Sequence, residues 1–95
     1  MKDVCITLVA VGETADDDVK TNVYAEVYSV GRDEFNAAGQ QGMKATHKFV
    51  VWTSEYDDQD ELEYDGKRLS IYRTYQEPGK EKTELYTAER IGNAG

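Results

Sequence analysis

Few side chains in this 95-residue sequence are equipped for chemistry. His47 is its one histidine and Cys5 its one cysteine. Together they fall short of the four donors of a structural zinc site, and no third group is evident to orient a Cys-His nucleophile. His47 is expected to pack at a strand end or an interface, and Cys5, inside an apolar run, to be a small buried hydrophobe. These types and spacings point to no catalytic residue, metal site or cofactor, and an enzyme reading lacks any cluster of nucleophile, base and orienting group.

Carboxylates are the more abundant resource. Glu55 to Asp65 contains seven acids and no base, and Glu55, Asp57, Asp58, Asp60, Glu61 and Glu63 form a candidate acidic surface. Such hard ligands suit calcium, but the run lacks the Asp-x-Asp-x-Asp-Gly loop that wraps that ion. It reads as a solvated loop face or as a wall that keeps DNA away by like-charge repulsion. Seven tyrosines, two phenylalanines and one tryptophan could stack nucleic-acid bases, but no basic patch accompanies them. A net charge of −8 also opposes attachment to phosphate backbones or anionic membranes. The tyrosines are therefore expected to cover a small core or to line subunit contacts.

The elements that must position these groups are mostly strands. Val4, Ile6, Leu8 and Ala10 alternate with Cys5, Thr7, Val9 and Val11, so both faces of this first segment are apolar and it reads as a doubly covered strand. Thr21 to Tyr28 alternates through a second strand whose Val23, Ala25 and Val27 face the core. A short helix is expected within Arg32 to Gln41, with Asp33 and Glu34 suiting its dipole and Gly39 and Gly42 ending it. Its one large apolar residue, Phe35, offers little anchorage, and the whole segment from Gly31 to Met43 is expected to be the least ordered internal part of the free chain.

Lys44 to Thr53 forms the third strand, centred on Phe49, Val50, Val51 and Trp52, of which Phe49 and Trp52 are expected to support the fold rather than a ligand site, with the adjacent Val50 and Val51 leaving open which of them faces inward. Asp65-Gly66 is a strong hairpin signal between Glu61 to Tyr64 and Lys67 to Gln76, because both central residues of a type I′ turn need positive φ. In the return strand, Leu69, Ile71, Arg73 and Tyr75 are expected to share one face. Glu77-Pro78-Gly79-Lys80 is a turn, and Lys82 to Ile91 the last strand. Six strands and one brief helix predict a mainly β chain, a small antiparallel barrel or sandwich, as one domain over residues 1–91 with a flexible tail at 92–95. No run is apolar and long enough to span a bilayer, no targeting segment is expected, and the lone cysteine suits a reducing compartment.

Three stretches resemble the head closure proteins, also called head-tail connector or adaptor proteins, of long-tailed bacteriophages and prophages. They are Val23-Tyr24-Ala25-Glu26-Val27 with Gly31-Arg32-Asp33-Glu34-Phe35, then Ala45-Thr46-His47-Lys48-Phe49-Val50-Val51, and Glu63-Tyr64-Asp65-Gly66-Lys67-Arg68-Leu69-Ser70-Ile71-Tyr72. The resemblance spans Val4 to Arg90 and lies in the order and spacing of the motifs. It implies a non-enzymatic ring protein that sits between a portal-bound adaptor and a tail completion or tail tube protein. Such a ring closes the DNA exit channel after packaging and offers a docking face to the tail. The chain would then act in the host cytoplasm during assembly and at the head-tail interface of the virion. The resemblance also places the connection between the second and third strands in the channel, that is Gly31, Arg32, Asp33, Glu34, Phe35, Gly39, Gln40, Gln41, Gly42 and Met43. Self-association is expected only within the assembled connector, since a chain of net charge −8 repels its own copies. The alternative is a small acidic β protein that mimics DNA and inhibits a DNA-binding enzyme, although Lys and Arg dispersed among the acids of the last strands interrupt the single-sign stripes a mimic needs.

Overall fold

The computed structural model describes residues 2–90, and the expected flexible tail at 92–95 lies outside them. Six antiparallel strands run as β1 (Lys2–Ala10), β2 (Val19–Ser29), β3 (Met43–Trp52), β4 (Glu61–Tyr64), β5 (Lys67–Gln76) and β6 (Lys82–Arg90), with helix α1 (Arg32–Gly39) between β2 and β3. Pairing follows the order β1-β2-β3-β6-β5-β4, and β4 pairs back onto β1 from Thr7↔Glu63 to Val9↔Glu61, which closes the barrel. The seams are short in places: β2 meets β3 only from Glu26 to Ser29, and β4 meets β1 only from Thr7 to Val9. Among the described residues no helix is long and apolar enough to cross a membrane.

Alternation supplies the interior. Ile6 and Leu8 from β1, Val23 and Ala25 from β2, Phe49 and Val51 from β3, and Leu62, Leu69 and Leu85 from β4, β5 and β6 make one buried cluster. A barrel wall has only one inner face, and this corrects two expectations about β1. Its other face is not covered: Cys5 is exposed and Thr7 only half-buried, although Val9 is buried.

Two bulges decide which side chains enter the core. In β3, Ala45 pairs with Ala88 and His47 with Thr87, so Thr46 is an extra residue that reverses the alternation. Met43 and Ala45, before it, pack outside the barrel with Ala38 of α1 and Ala88 of β6, whereas Phe49 and Val51, after it, point inward. Trp52 consequently faces out and is 50% exposed, contrary to its expected place in the fold's support. Buried Thr87 holds this bulge: its hydroxyl donates to the His47 carbonyl at 3.0 Å and lies 3.0 Å from the Thr46 hydroxyl. The second bulge is Tyr72 of β5, between Ile71↔Thr87 and Arg73↔Tyr86. It divides the face that Leu69, Ile71, Arg73 and Tyr75 were expected to share, leaving the first two against the core and the last two exposed.

Tight turns follow their residue types. Asp65 and Gly66 take φ of 54° and 77°, the two positive values a type I′ turn requires, and place Tyr64 opposite Lys67. The Glu77–Lys80 turn closes with the Lys80 amide donating to the Glu77 carbonyl at 3.0 Å. Gly12 has a steric reason of its own, since a Cβ there would lie 2.4 Å from that of Asp17.

Candidate interaction surface

The segment from Gly31 to Met43 is better anchored than its composition suggests. Gly31 precedes α1; Arg32 and Asp33 are exposed in its first turn; Gly39 ends it; and Gln40, Gln41 and Gly42 form the exposed turn into β3. Met43 is buried as the first residue of β3 rather than part of a loop. Phe35, the expected anchor, is 43% exposed, and the seat is instead Ala38, fully buried against Met43, Ala45 and Ala88. A small side chain lets the helix backbone approach the wall closely, which a search for large apolar residues misses.

Glu34 provides the polar half of this attachment. It receives a hydrogen bond from the Tyr72 hydroxyl at 2.6 Å and one from Arg73 at 2.6 Å, and the Arg73 guanidinium lies 3.9 Å from the centre of the Tyr86 ring. Arg73, with help from Tyr72, holds the Glu34 carboxyl below its ordinary range. Burial, and then the Glu34 carboxylate, pushes the Tyr72 phenol well up. The α1 helix is thus held to the outer wall by one methyl group and one charge-assisted network, and the expected anchor Phe35 is replaced by Ala38 and Glu34.

The acidic run divides between the β3–β4 connection and β4 itself. Its β3–β4 connection must reach a strand on the opposite side of the ring, and it does so by packing Tyr56 against the core and burying Gln59. The Tyr56 hydroxyl donates to the Gln59 carbonyl at 2.9 Å, and the Asp57 amide donates to the Gln59 side-chain oxygen at 2.8 Å. Glu55, Asp57, Asp58 and Asp60 are left exposed on this connection. Glu61 and Glu63 lie in β4 and are drawn into ion pairs: Arg68 bonds Glu61, reaches Glu63 at 3.5 Å and Asp18 at 3.1 Å, while Lys20 meets Glu63 at 3.2 Å. The Gly12 amide first, and Arg68 second, hold the Asp18 carboxyl below its ordinary range. Asp18 and Arg68 are fifty residues apart in the chain, so their pairing has no local signal.

His47 packs at one end of the barrel interior, its ring 5.6 Å from Phe49 and 5.3 Å from Tyr64 between centroids. It lies in mid-strand beside the bulge rather than at the expected strand end, and its Nδ1 is buried without a hydrogen-bond partner among the described residues. Tyr64 also meets Phe49 edge-on at 5.1 Å, so this tyrosine covers the core as expected.

The feature that sequence reasoning missed lies on the outer face of β2, β3, β6 and β5. With the β3 bulge setting the parity, Val50 and Trp52 project outward next to Tyr28 of β2 and Tyr75 of β5 around an open cleft of about 480 Å³, and Tyr24 of β2 lines a second pocket of about 200 Å³ that shares Val50 and Trp52. Tyr24 is 76% exposed and Tyr75 46%. Lysines cross the rings: Lys48 lies 5.1 Å from the Tyr28 centroid, and Lys82 lies 5.2 Å from that of Trp52 while pairing with Glu26 at 3.0 Å. The signal was present as the alternation of Tyr24, Glu26 and Tyr28, but alternation does not reveal which aromatic residues share a surface across strands. The sequence matches no protein-family model and no curated protein.

Proposed function

We propose that this chain is a structural assembly protein of a tailed phage or prophage, the ring component that closes the DNA exit at the head-tail connector and receives the tail. The observation that carries the assembly reading is a closed barrel whose outer wall exposes Tyr24, Trp52 and Tyr75 together. Every strand has a neighbour on both sides over part of its length, so association falls mainly to side-chain faces, and exposed aromatic residues are what protein interfaces favour. The choice of a phage connector rests on the resemblance in motif order and spacing. In that role α1 is presented ready-folded, with Phe35, Arg32 and Asp33 free to meet a neighbour or the channel.

The DNA-mimic alternative is weakened by the ion pairs. Arg68, Lys20, Lys82 and Arg73 neutralise Glu61, Glu63, Glu26 and Glu34, which interrupts any continuous stripe of negative charge. Deleting the gene from the replicating element that carries it is expected to leave heads that lose their DNA and remain separate from tails. Normal yields of infectious, tailed particles from the deletion would overturn the proposal.

A further inference from the structure

The outer cleft has a chemistry more specific than that of an apolar patch. Its floor is Val50 and its walls include Trp52, Tyr28 and Tyr75, so it offers apolar and ring surface to a side chain of similar size. Its volume of about 480 Å³ falls in the range of built ligand clefts, roughly 300–1,000 Å³. The surrounding charge is unbalanced. Five acids line this cleft and its continuation toward Tyr24, namely Asp3, Glu26, Glu77, Glu81 and Glu84, against Lys48, Lys80 and Lys82. The pairs Lys82 with Glu26 at 3.0 Å and Lys48 with Glu84 at 4.0 Å cancel two of each sign, which leaves Asp3, Glu77 and Glu81 against Lys80. Glu77 and Glu81, on the β5–β6 turn at the rim, have no ion-pair partner among the described residues.

We infer that this cleft docks a basic segment of a protein partner, in which an aromatic or branched aliphatic side chain fills the space over Val50 and flanking Lys or Arg side chains meet Glu77 and Glu81. The inference rests on the assembly reading and supplies the surface and the partner chemistry that reading leaves open. A cationic partner suits both the rings and the overall charge. The internal lysines over Tyr28 and Trp52 show that these rings already accept cations on their faces. The net charge of −8 also steers a basic partner toward the chain and repels phosphate, so a nucleic acid that could stack on the same rings is disfavoured.

Trp52 is the chain's one tryptophan and lies in the cleft, so its emission reports on this site directly. The full chain is titrated with an end-blocked, tryptophan-free peptide, Lys-Arg-Leu-Phe-Arg-Lys, with its counterpart in which every base is glutamate, and with a thymidine oligomer. The expected result is a saturable shift of Trp52 emission by the basic peptide alone. Tyr75→Ser, and separately the pair Glu77→Lys and Glu81→Lys, should weaken it about tenfold or more. Glu13→Lys with Asp16→Lys, a charge change of the same size on the β1–β2 loop, should have a much smaller effect. Unchanged melting temperatures confirm that the variants remain folded.

Three results would each overturn the inference: no saturable change with the basic peptide, equal response to the acidic one, or equal weakening by the two charge-reversal pairs. Saturable quenching by the oligomer would assign the surface to nucleic acid instead. Failure here with heads and tails still separated by the gene deletion would reject this cleft but keep the assembly function, whereas the reverse pattern would reject the phage role and keep the cleft.

Discussion

Replacing Thr87 by Val removes one hydroxyl from a fully buried site while nearly preserving shape. That hydroxyl donates to the His47 carbonyl at 3.0 Å and contacts the Thr46 hydroxyl at 3.0 Å, so the substitution strips the β3 bulge of its side-chain donor. Leaving a buried polar group without its partner costs about 1–3 kcal/mol, a sizeable share of the roughly 5–15 kcal/mol that holds a domain folded. For a chain of this size each kcal/mol lowers the melting temperature by roughly 4–8 °C, so a loss of about 2 kcal/mol lowers it by roughly 8–16 °C. The assay is thermal unfolding followed by circular dichroism, with urea titration as the second measure. Thr74→Val, on exposed Thr74 of β5, serves as control and should stay within about 0.5 kcal/mol of the parent. Thr46→Val combined with Thr87→Val should be non-additive by about 0.5 kcal/mol or more, because the two hydroxyls share one network. A Thr87→Val chain as stable as the parent, or strict additivity with Thr46→Val, would refute the idea that this network maintains the bulge.

Phe49→Ala should cost about 3–5 kcal/mol and unfold much of the chain at modest urea, whereas Trp52→Ala should change stability by about 1 kcal/mol or less and act on docking alone, as separate urea midpoints will show. Glu34→Gln should lower stability at neutral pH by about 1 kcal/mol and speed amide exchange in α1 while residues 47–52 stay protected. Because Arg73 lowers the folded-state pKa of Glu34, its contribution is complete above the ordinary value of 4.5 and is lost as pH falls through the lowered one; the gap between parent and Glu34→Gln melting temperatures should therefore close in acid. Ala38→Leu should overpack the seat against Met43, Ala45 and Ala88 and cost about 1–3 kcal/mol, with faster exchange confined to α1 and the start of β3.

The local grammar of this protein is written in its residue order. Alternation marked the first, second and fifth strands, an apolar β-prone run the third, Asp65-Gly66 and Pro78-Gly79 the turns that bound the fourth and sixth, and the punctuation around Gly31 and Gly39 the α-helix among the described residues. These signals are legible because backbone preference and two-residue periodicity act over a few neighbouring positions. Tertiary structure decided which face of each strand looks inward. Alternation defines two faces without naming the buried one, and a single extra residue, Thr46 or Tyr72, exchanges them partway along a strand. That is why Trp52, Arg73 and Tyr75 stand on the outside and why Cys5 is exposed. Closure of β4 onto β1 decided the rest. It brings Arg68 to Asp18 and Lys20 to Glu63, and pairing of β6 with β3 and β5 gathers the aromatic cleft from residues spread between Tyr28 and Glu84. Such juxtapositions depend on pairings between distant segments, whose energy comes from burying all the strands together and leaves no mark in any one of them.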